Sequence, residues 1–295
     1  IICSGDKLSD FLNTNRINPM ASLVDPENWL NADYEPLPYL VEAARAIFKN
    51  TPLPYIKRAY SAGIPQTIES LTQIAKQARE KGERHLALIT GVPGAGKTLV
   101  GLQFVYSEYL VNSDQSHDSV FLSGCGPLIQ VLQHALDNKL FVQDIHGFLR
   151  QYGGDSQRVP MEHVIVYDEA QRAWDSQQVA AKRGHSNSEP EDFLKIGERM
   201  DSWTLMVGLI GEGQEIHIGE ESGLPLWNNA LSKMSKKWIV HCPPKVKSSF
   251  SAAKNIHIHK ELDLNTSLRS HLAKDIQVWV ENLLNGDIQD ALMIS

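Results

Sequence analysis

Eight consecutive residues, Gly91-Val92-Pro93-Gly94-Ala95-Gly96-Lys97-Thr98, follow the pattern G-x-x-x-x-G-K-T. Glycines at 91, 94 and 96 let a backbone curl until successive N–H groups face one anion. Gly91, Pro93, Gly94, Ala95, Gly96, Lys97 and Thr98 therefore form a candidate cradle for a polyphosphate such as ATP. Lys97 would reach the β- and γ-phosphates, and the Thr98 hydroxyl would take one coordination position of a Mg²⁺ ion. About seventy residues further on, Asp168-Glu169-Ala170-Gln171 follows an apolar run. Two adjacent carboxylates suit triphosphate hydrolysis there: Asp168 to hold the same Mg²⁺ through a water, and Glu169 to polarise the attacking water as general base. Gln171 and Gln214 carry amides that donate and accept at once, as a group distinguishing triphosphate from diphosphate must.

These residues need elements to hold them. His85 to Thr90 is an apolar, strand-like run directly before the glycine-rich turn, and Thr98 to Leu110 is an amphipathic stretch directly after it. Strand, turn and helix in that order place the turn at a helix N-terminus, whose dipole adds to the anion site. Further strands are predicted at Ser119 to Ser123, His163 to Tyr167, Trp203 to Ile210, Trp238 to His241 and Ile256 to His259. Helices are predicted at Gln66 to Lys81, after Gly124-Cys125-Gly126-Pro127 through about Leu136, around Asp144 to Tyr152, at Glu191 to Met200 and at Ser270 to Leu284. The polar composition between Arg172 and Pro190 predicts a mobile loop. Strands alternating with helices imply an α/β fold, a mostly parallel sheet with helices on both faces and its ligand beyond the carboxyl ends of the strands. Gly91 to Thr98, Asp168 to Gln171 and Gly211 to Gln214 leave strands at that end and should converge.

Composition narrows the setting. The chain has 295 residues and a formal net charge of -7, which excludes a surface that grips nucleic acid everywhere but leaves room for a local groove. Three widely spaced cysteines fit reduced thiols in a cytoplasm better than disulfides or zinc. No apolar run approaches the eighteen or so residues that span a bilayer, so no membrane association is expected. Residues 1 to 65 are rich in asparagine and proline, and only Leu40 to Phe48 has helical spacing. This reads as a loop-rich, partly helical lead-in or the end of an upstream module. Its Trp29, Tyr34 and Tyr39 read as aromatics pinning a loop onto a neighbouring surface. The chain starts at Ile1 rather than Met, which leads us to expect an excerpt of a longer polypeptide.

Asp168-Glu169-Ala170-Gln171 resembles helicase motif II, and Gly211-Glu212-Gly213-Gln214 resembles motif III of superfamily 1 helicases. Leu264-Asn265-Thr266-Ser267-Leu268-Arg269-Ser270 is similar to the motif IV segment. The stretches His85 to Phe104, Val164 to Trp174 and Val207 to Leu231 resemble the Schlafen-type DNA/RNA helicase domain. This resemblance covers residues 66 to 295 and implies a RecA-like P-loop NTPase, using ATP and Mg²⁺ and acting on single-stranded DNA or RNA. It implies that Gln214 couples nucleotide state to nucleic acid, that Arg269 reaches the γ-phosphate, and that Gln66 reads the adenine. Ser123, Cys125 and Pro127 would touch single-stranded nucleic acid, with His146-Gly147-Phe148 beside them. The RecA-like domain is expected over 66–265, and 266–295 begins a connection to a second RecA-like domain; relatives often carry a nuclease-like module upstream.

Two other functions fit parts of the pattern. An ATP-gated switch controlling a fused effector, as in antiviral defence, would share the P-loop but never unwind a duplex. A P-loop kinase would share Gly91 to Thr98 but lacks an evident arginine-rich lid. His257 and His259 alternate without a carboxylate or cysteine at ligand spacing, so they read as structural. Lys233, Lys236, Lys237, Lys245, Lys247 and Lys254 read as a solvated basic edge.

Overall fold

The computed structural model describes residues 63–111, 118–136, 141–211, 223–265 and 286–294, with the single positions 279 and 282. The chain divides into two units, Ile1–Leu37 and Pro38–Ser295, and every described residue lies in the second. Its elements in order are α1 (Ile64–Lys81), β1 (Arg84–Gly91), α2 (Lys97–Val111), β2 (Ser119–Ser123), α3 (Gly126–Leu136), β3 (Val142–Asp144), α4 (Ile145–Tyr152), β4 (Val164–Tyr167), α5 (Ser176–Arg183), α6 (Glu189–Arg199), β5 (Thr204–Gly211), α7 (Gly223–Ser232), β6 (Trp238–Cys242), β7 (Asn255–Ile258), β8 (Asp263–Leu264) and α8 (Ile288–Ile294). Short 3-10 turns occupy Ala170–Arg172, Pro244–Ser249 and Lys260–Leu262.

The strands form one sheet in the order β3-β2-β4-β5-β1-β6-β7, with β8 paired to the end of β1. Every pairing is parallel. The alternation of side chains sorts the core into two layers. Leu86 and Leu88 of β1, Ile165 and Tyr167 of β4, and Met206 and Ile210 of β5 pack with Phe148 of α4, Phe193 of α6 and Trp227 of α7. On the opposite face, Gly101 of α2 sits directly over Phe121, Val166 and Leu209. Alongside it α1 buries Leu71, Ile74, Ala75 and Ala78, the positions its helical spacing predicts. The α/β reading with helices on both faces therefore holds.

Five elements depart from expectation. The three-residue β3 and two-residue β8 are too short for a periodic signal, and exist because β2 and β1 offer them a parallel edge. α7 occupies a stretch for which no separate helix is predicted. The predicted mobile loop at 172–190 instead contains α5, capped at its start by Asp175, which accepts from Gln178 N, and closed by Gly184 at φ 79°. α6 starts earlier than predicted, because Ser188 and Glu191 form a reciprocal capping box. Among the described residues no helix is long and apolar enough to cross a membrane.

Under α1 a row of imidazoles crosses three strands. His85 Nδ1 lies 2.8 Å from His241 Nε2, and His241 Nδ1 lies 2.9 Å from His259 Nε2. The row ends at Glu83, 3.4 Å from His85 Nε2, and at Ser70, 3.4 Å from His259 Nδ1. A carboxylate only accepts, so a neutral row anchored on Glu83 carries its protons on Nε2 throughout, with Ser70 Oγ donating to His259. His257 also faces His241, with ring centroids 5.1 Å apart.

Burial, then the neighbouring imidazoles, push His241 down to about 2. Burial likewise lowers His85 against the pull of Glu83, and lowers His259 against Glu261. A buried neutral imidazole with a depressed value binds fewer protons than the unfolded chain. Its contribution is complete above the unfolded value near 6.5 and is lost as pH falls below it. Between pH 7 and 5, His241 is expected to cost the fold on the order of 1–2 kcal/mol. Urea unfolding at both pH values should show this slope in the wild type and a shallower one in His241→Asn; equal slopes would refute it.

Candidate active site

β1 runs straight into the glycine-rich turn. At Gly91 a side chain has no room: a Cβ there would meet Leu264 O at 2.8 Å and Leu264 Cβ at 2.9 Å. The turn then takes left-handed backbone at Gly94 (φ 76°) and Gly96 (φ 91°), conformations that cost glycine little. Val92 N donates to Leu264 O at 3.2 Å, while Ala95 N closes the turn on Val92 O at 3.1 Å. Ala95 is buried and Pro93 exposed. Lys97 opens α2 with its ammonium over the base of the turn, donating to Gly91 O at 2.8 Å and Val92 O at 3.2 Å. Below it Asp263 Oδ1 accepts from Thr90 Oγ1 at 2.8 Å and pairs with Lys245 Nζ at 2.5 Å.

The acidic loop arrives from β4, two strands away across β5. Thr98 Oγ1 lies 3.3 Å from both carboxylate oxygens of Asp168. Asp168 is 3% exposed. Burial foremost, then the charge of Glu169, raise its carboxyl to about 7, against the opposing pull of the Thr98 hydroxyl and Lys97. A hydroxyl and a carboxylate are hard oxygen donors, the set a Mg²⁺ ion takes alongside phosphate oxygens and waters. A divalent cation would also offset the burial that raises Asp168. The residues present fit the ion.

Glu169 is the one non-glycine residue with positive φ (57°) among those described. Such backbone is held only where its surroundings fix it, and here they do. Trp227 Nε1 donates to Ala170 O at 3.0 Å from one side. From the other, Gln171 Nε2 donates to Glu169 Oε2 at 2.6 Å while its Oε1 accepts from Gly211 N at 2.9 Å. Gln171 is 1% exposed. With its amide anchored inside the protein at both ends, Gln171 orients Glu169, the residue expected to polarise the attacking water. Arg172 Nε lies 3.5 Å from Glu169 Oε2. Gly211 is also the register partner of Gly91. The three strand ends at 91, 168–171 and 211 thus converge.

The remaining candidates are scattered more widely. Gln214 and Arg269 lie outside the described residues, as do Trp29, Tyr34 and Tyr39. Gln66 is exposed on the first turn of α1, whose Thr67 Oγ1 reaches Glu261 O at 2.5 Å. Ser123 is buried, its Oγ accepting from Cys125 N at 3.2 Å and so bracing the loop that carries Cys125 and Pro127. Cys125 and Pro127 are exposed. Of the lysine run, Lys233 pairs with Glu191 and Lys245 with Asp263, Lys236 donates from its backbone N to the Glu198 carboxylate and from its ammonium to the Glu198 carbonyl, and Lys237, Lys247 and Lys254 lie on the exposed edge.

His146 belongs to a buried node that sequence reasoning missed. Glu189 is fully buried, and its Oε2 accepts from Tyr167 OH at 3.0 Å and Trp174 N at 2.9 Å. Its Oε1 faces His146 Nδ1 at 3.1 Å and pairs closely with Arg183. Burial pushes this carboxyl up, but bonds from His146, Trp174 N and Arg183 outweigh it and hold Glu189 below the usual carboxylate range. The node ties both flanks of the Asp168–Gln171 turn to α4, α5 and α6. The Ser188-x-x-Glu191 capping signature would have located the start of α6, but not the partners of Glu189.

A parallel sheet with this turn on a central strand, and a buried aspartate two strands away, is a RecA-like α/β fold of the P-loop NTPase class. Residues 84–295 match the Schlafen group 3 DNA/RNA helicase domain, and the chain belongs to that family. No curated protein matches the sequence. Among solved structures, C. elegans PCH-2 is similar at 12% identity over 84% of this chain and 46% of that chain. The TM-score is 0.25, a likeness too slight to bear on fold or function, and this chain spans under half of the PCH-2 chain.

Proposed function

We propose that this chain is the ATP-binding and hydrolysing module of a superfamily 1-like DNA/RNA helicase or translocase. The observation that carries this reading is Thr98 Oγ1 at 3.3 Å from both oxygens of buried Asp168, with Glu169 beside it. Gly91 to Gly96 would wrap the phosphates with backbone N–H groups, and Lys97 would exchange its carbonyl partners for phosphate oxygens. Thr98 and Asp168 would hold Mg²⁺, which when bound neutralises charge on the transferring phosphoryl group. Glu169, oriented by Gln171, would take the proton of the attacking water. Gln66, Gln214 and Arg269 retain their proposed roles at the adenine and γ-phosphate. Leu264, five residues before Arg269, bonds the phosphate turn at Val92, which supports the arginine's assignment. The unpaired thiols of Cys125 and Cys242 support a reducing, cytoplasmic setting.

Translocation on this reading needs a second RecA-like domain that opens and closes on the nucleotide. Single-stranded DNA or RNA is therefore expected to stimulate ATP hydrolysis by the full-length protein roughly tenfold or more, given the 10³–10⁵-fold that a completing arginine supplies in related chemistry. Phosphate release measured with and without oligonucleotide checks this. Hydrolysis indifferent to both polymers would overturn the motor reading and leave a P-loop ATPase of another kind.

A further inference from the structure

The indole of Trp174 lies just beyond the Asp168–Gln171 turn, with two polar side chains packed against it. His146 stacks on it with centroids 4.3 Å apart and rings inclined by 27°. The Arg183 guanidinium lies 5.0 Å from the indole centroid. Arg183 Nη2 and His146 Nδ1 are only 2.9 Å from each other. Two groups that close cannot flank an indole from opposite sides, so both back the same face. Among the described residues no other ring stacks on Trp174 and its Nε1–H has no hydrogen-bond partner, while part of the residue remains exposed.

The backing is rigid. Arg183 is 6% exposed and Glu189 fully buried, and Glu189 fixes Arg183, His146 and the Trp174 backbone N–H together. The platform also continues an exposed track, since a Cβ on Gly124 would lie 3.9 Å from His146 Nε2 and Gly124 to Pro127 are all exposed. Lys182, the sequence neighbour of Arg183, is exposed at the end of α5. A partly exposed indole whose backed face is held rigidly suits a stacked nucleobase, because every base offers a π-face regardless of sequence.

Resting on the motor reading, we propose that Trp174 is a base-stacking platform for single-stranded nucleic acid, held in place by His146, Arg183 and Glu189. The alternative is that the indole simply covers the buried Glu189–Arg183 pair. Labelled oligo-dT and oligo-U binding to the full-length protein, read by fluorescence anisotropy, separates them. Trp174→Leu is expected to weaken binding about tenfold or more, and Trp174→Phe by about threefold or less, since a phenyl ring still stacks. Intrinsic tryptophan emission should fall on binding in the wild type and fall much less in Trp174→Phe, a readout that a covering role would not move and that remains usable if the leucine variant folds poorly. Wild-type affinity in Trp174→Leu, or equal quenching in wild type and Trp174→Phe, overturns the platform alone. A wild type that binds neither oligonucleotide overturns the motor reading and the platform together.

Discussion

Replacing Glu169 by glutamine is expected to leave ATP affinity within about twofold of wild type and to lower turnover by about two to four orders of magnitude, the range a positioned general base contributes. Glutamine keeps the size of the side chain and can still accept from Gln171 Nε2 through its amide oxygen, so the left-handed turn at 169 has no reason to rearrange. What it loses is the capacity to take a proton. The phosphate cradle and the Thr98–Asp168 pair are untouched, which is why binding should survive. Fluorescent-nucleotide titration and phosphate release, both on the full-length protein with oligonucleotide present, give the two numbers. Undiminished turnover would remove Glu169 as the base, and loss of binding would show that the substitution had disturbed the turn.

The second large effect is on stability and falls at a residue outside the candidate catalytic set. Glu189→Ala is expected to destabilise the fold by about 3–5 kcal/mol, because it leaves the Arg183 guanidinium buried without a counter-charge. Tyr167 OH and Trp174 N would lose their acceptor in the same step. The depressed carboxyl of Glu189 sets the pH window. The stabilisation is present above the unfolded carboxylate value near 4.5 and fades as pH falls through the lower folded value. Urea unfolding at pH 7 measures the loss, and a difference under about 1 kcal/mol would mean that Arg183 finds another acceptor. Tyr167 directly precedes Asp168, so the same variant should also loosen the metal-facing carboxylate.

The parts of this site that the sequence made legible are those whose chemistry is written locally. Glycines at 91, 94 and 96 need special backbone wherever they occur in such a turn, and a strand ending in Asp-Glu announces itself within a few residues. Gln171 illustrates the limit: its residue type suits several roles around a phosphate, and only the distant Gly211 N–H shows what fixes its amide beside Glu169. Glu189 is less legible still. It sits in a polar stretch that looks like solvent-exposed loop, and its partners come from positions 146, 167, 174 and 183. β8 has two residues and no pattern at all; it is a strand because the edge of β1 is free beyond the point where β6 departs.

That two-residue strand makes backbone-to-backbone contact with the phosphate turn, at Leu264 O against Val92 N and at the bare Cα of Gly91. No pliable side chain lies between them to take up slack. A load carried by the polypeptide past Asn265 would arrive undamped at the two carbonyls on which the Lys97 ammonium rests, so tension in one part of the protein and the hold on a nucleotide in another would share a single rigid joint.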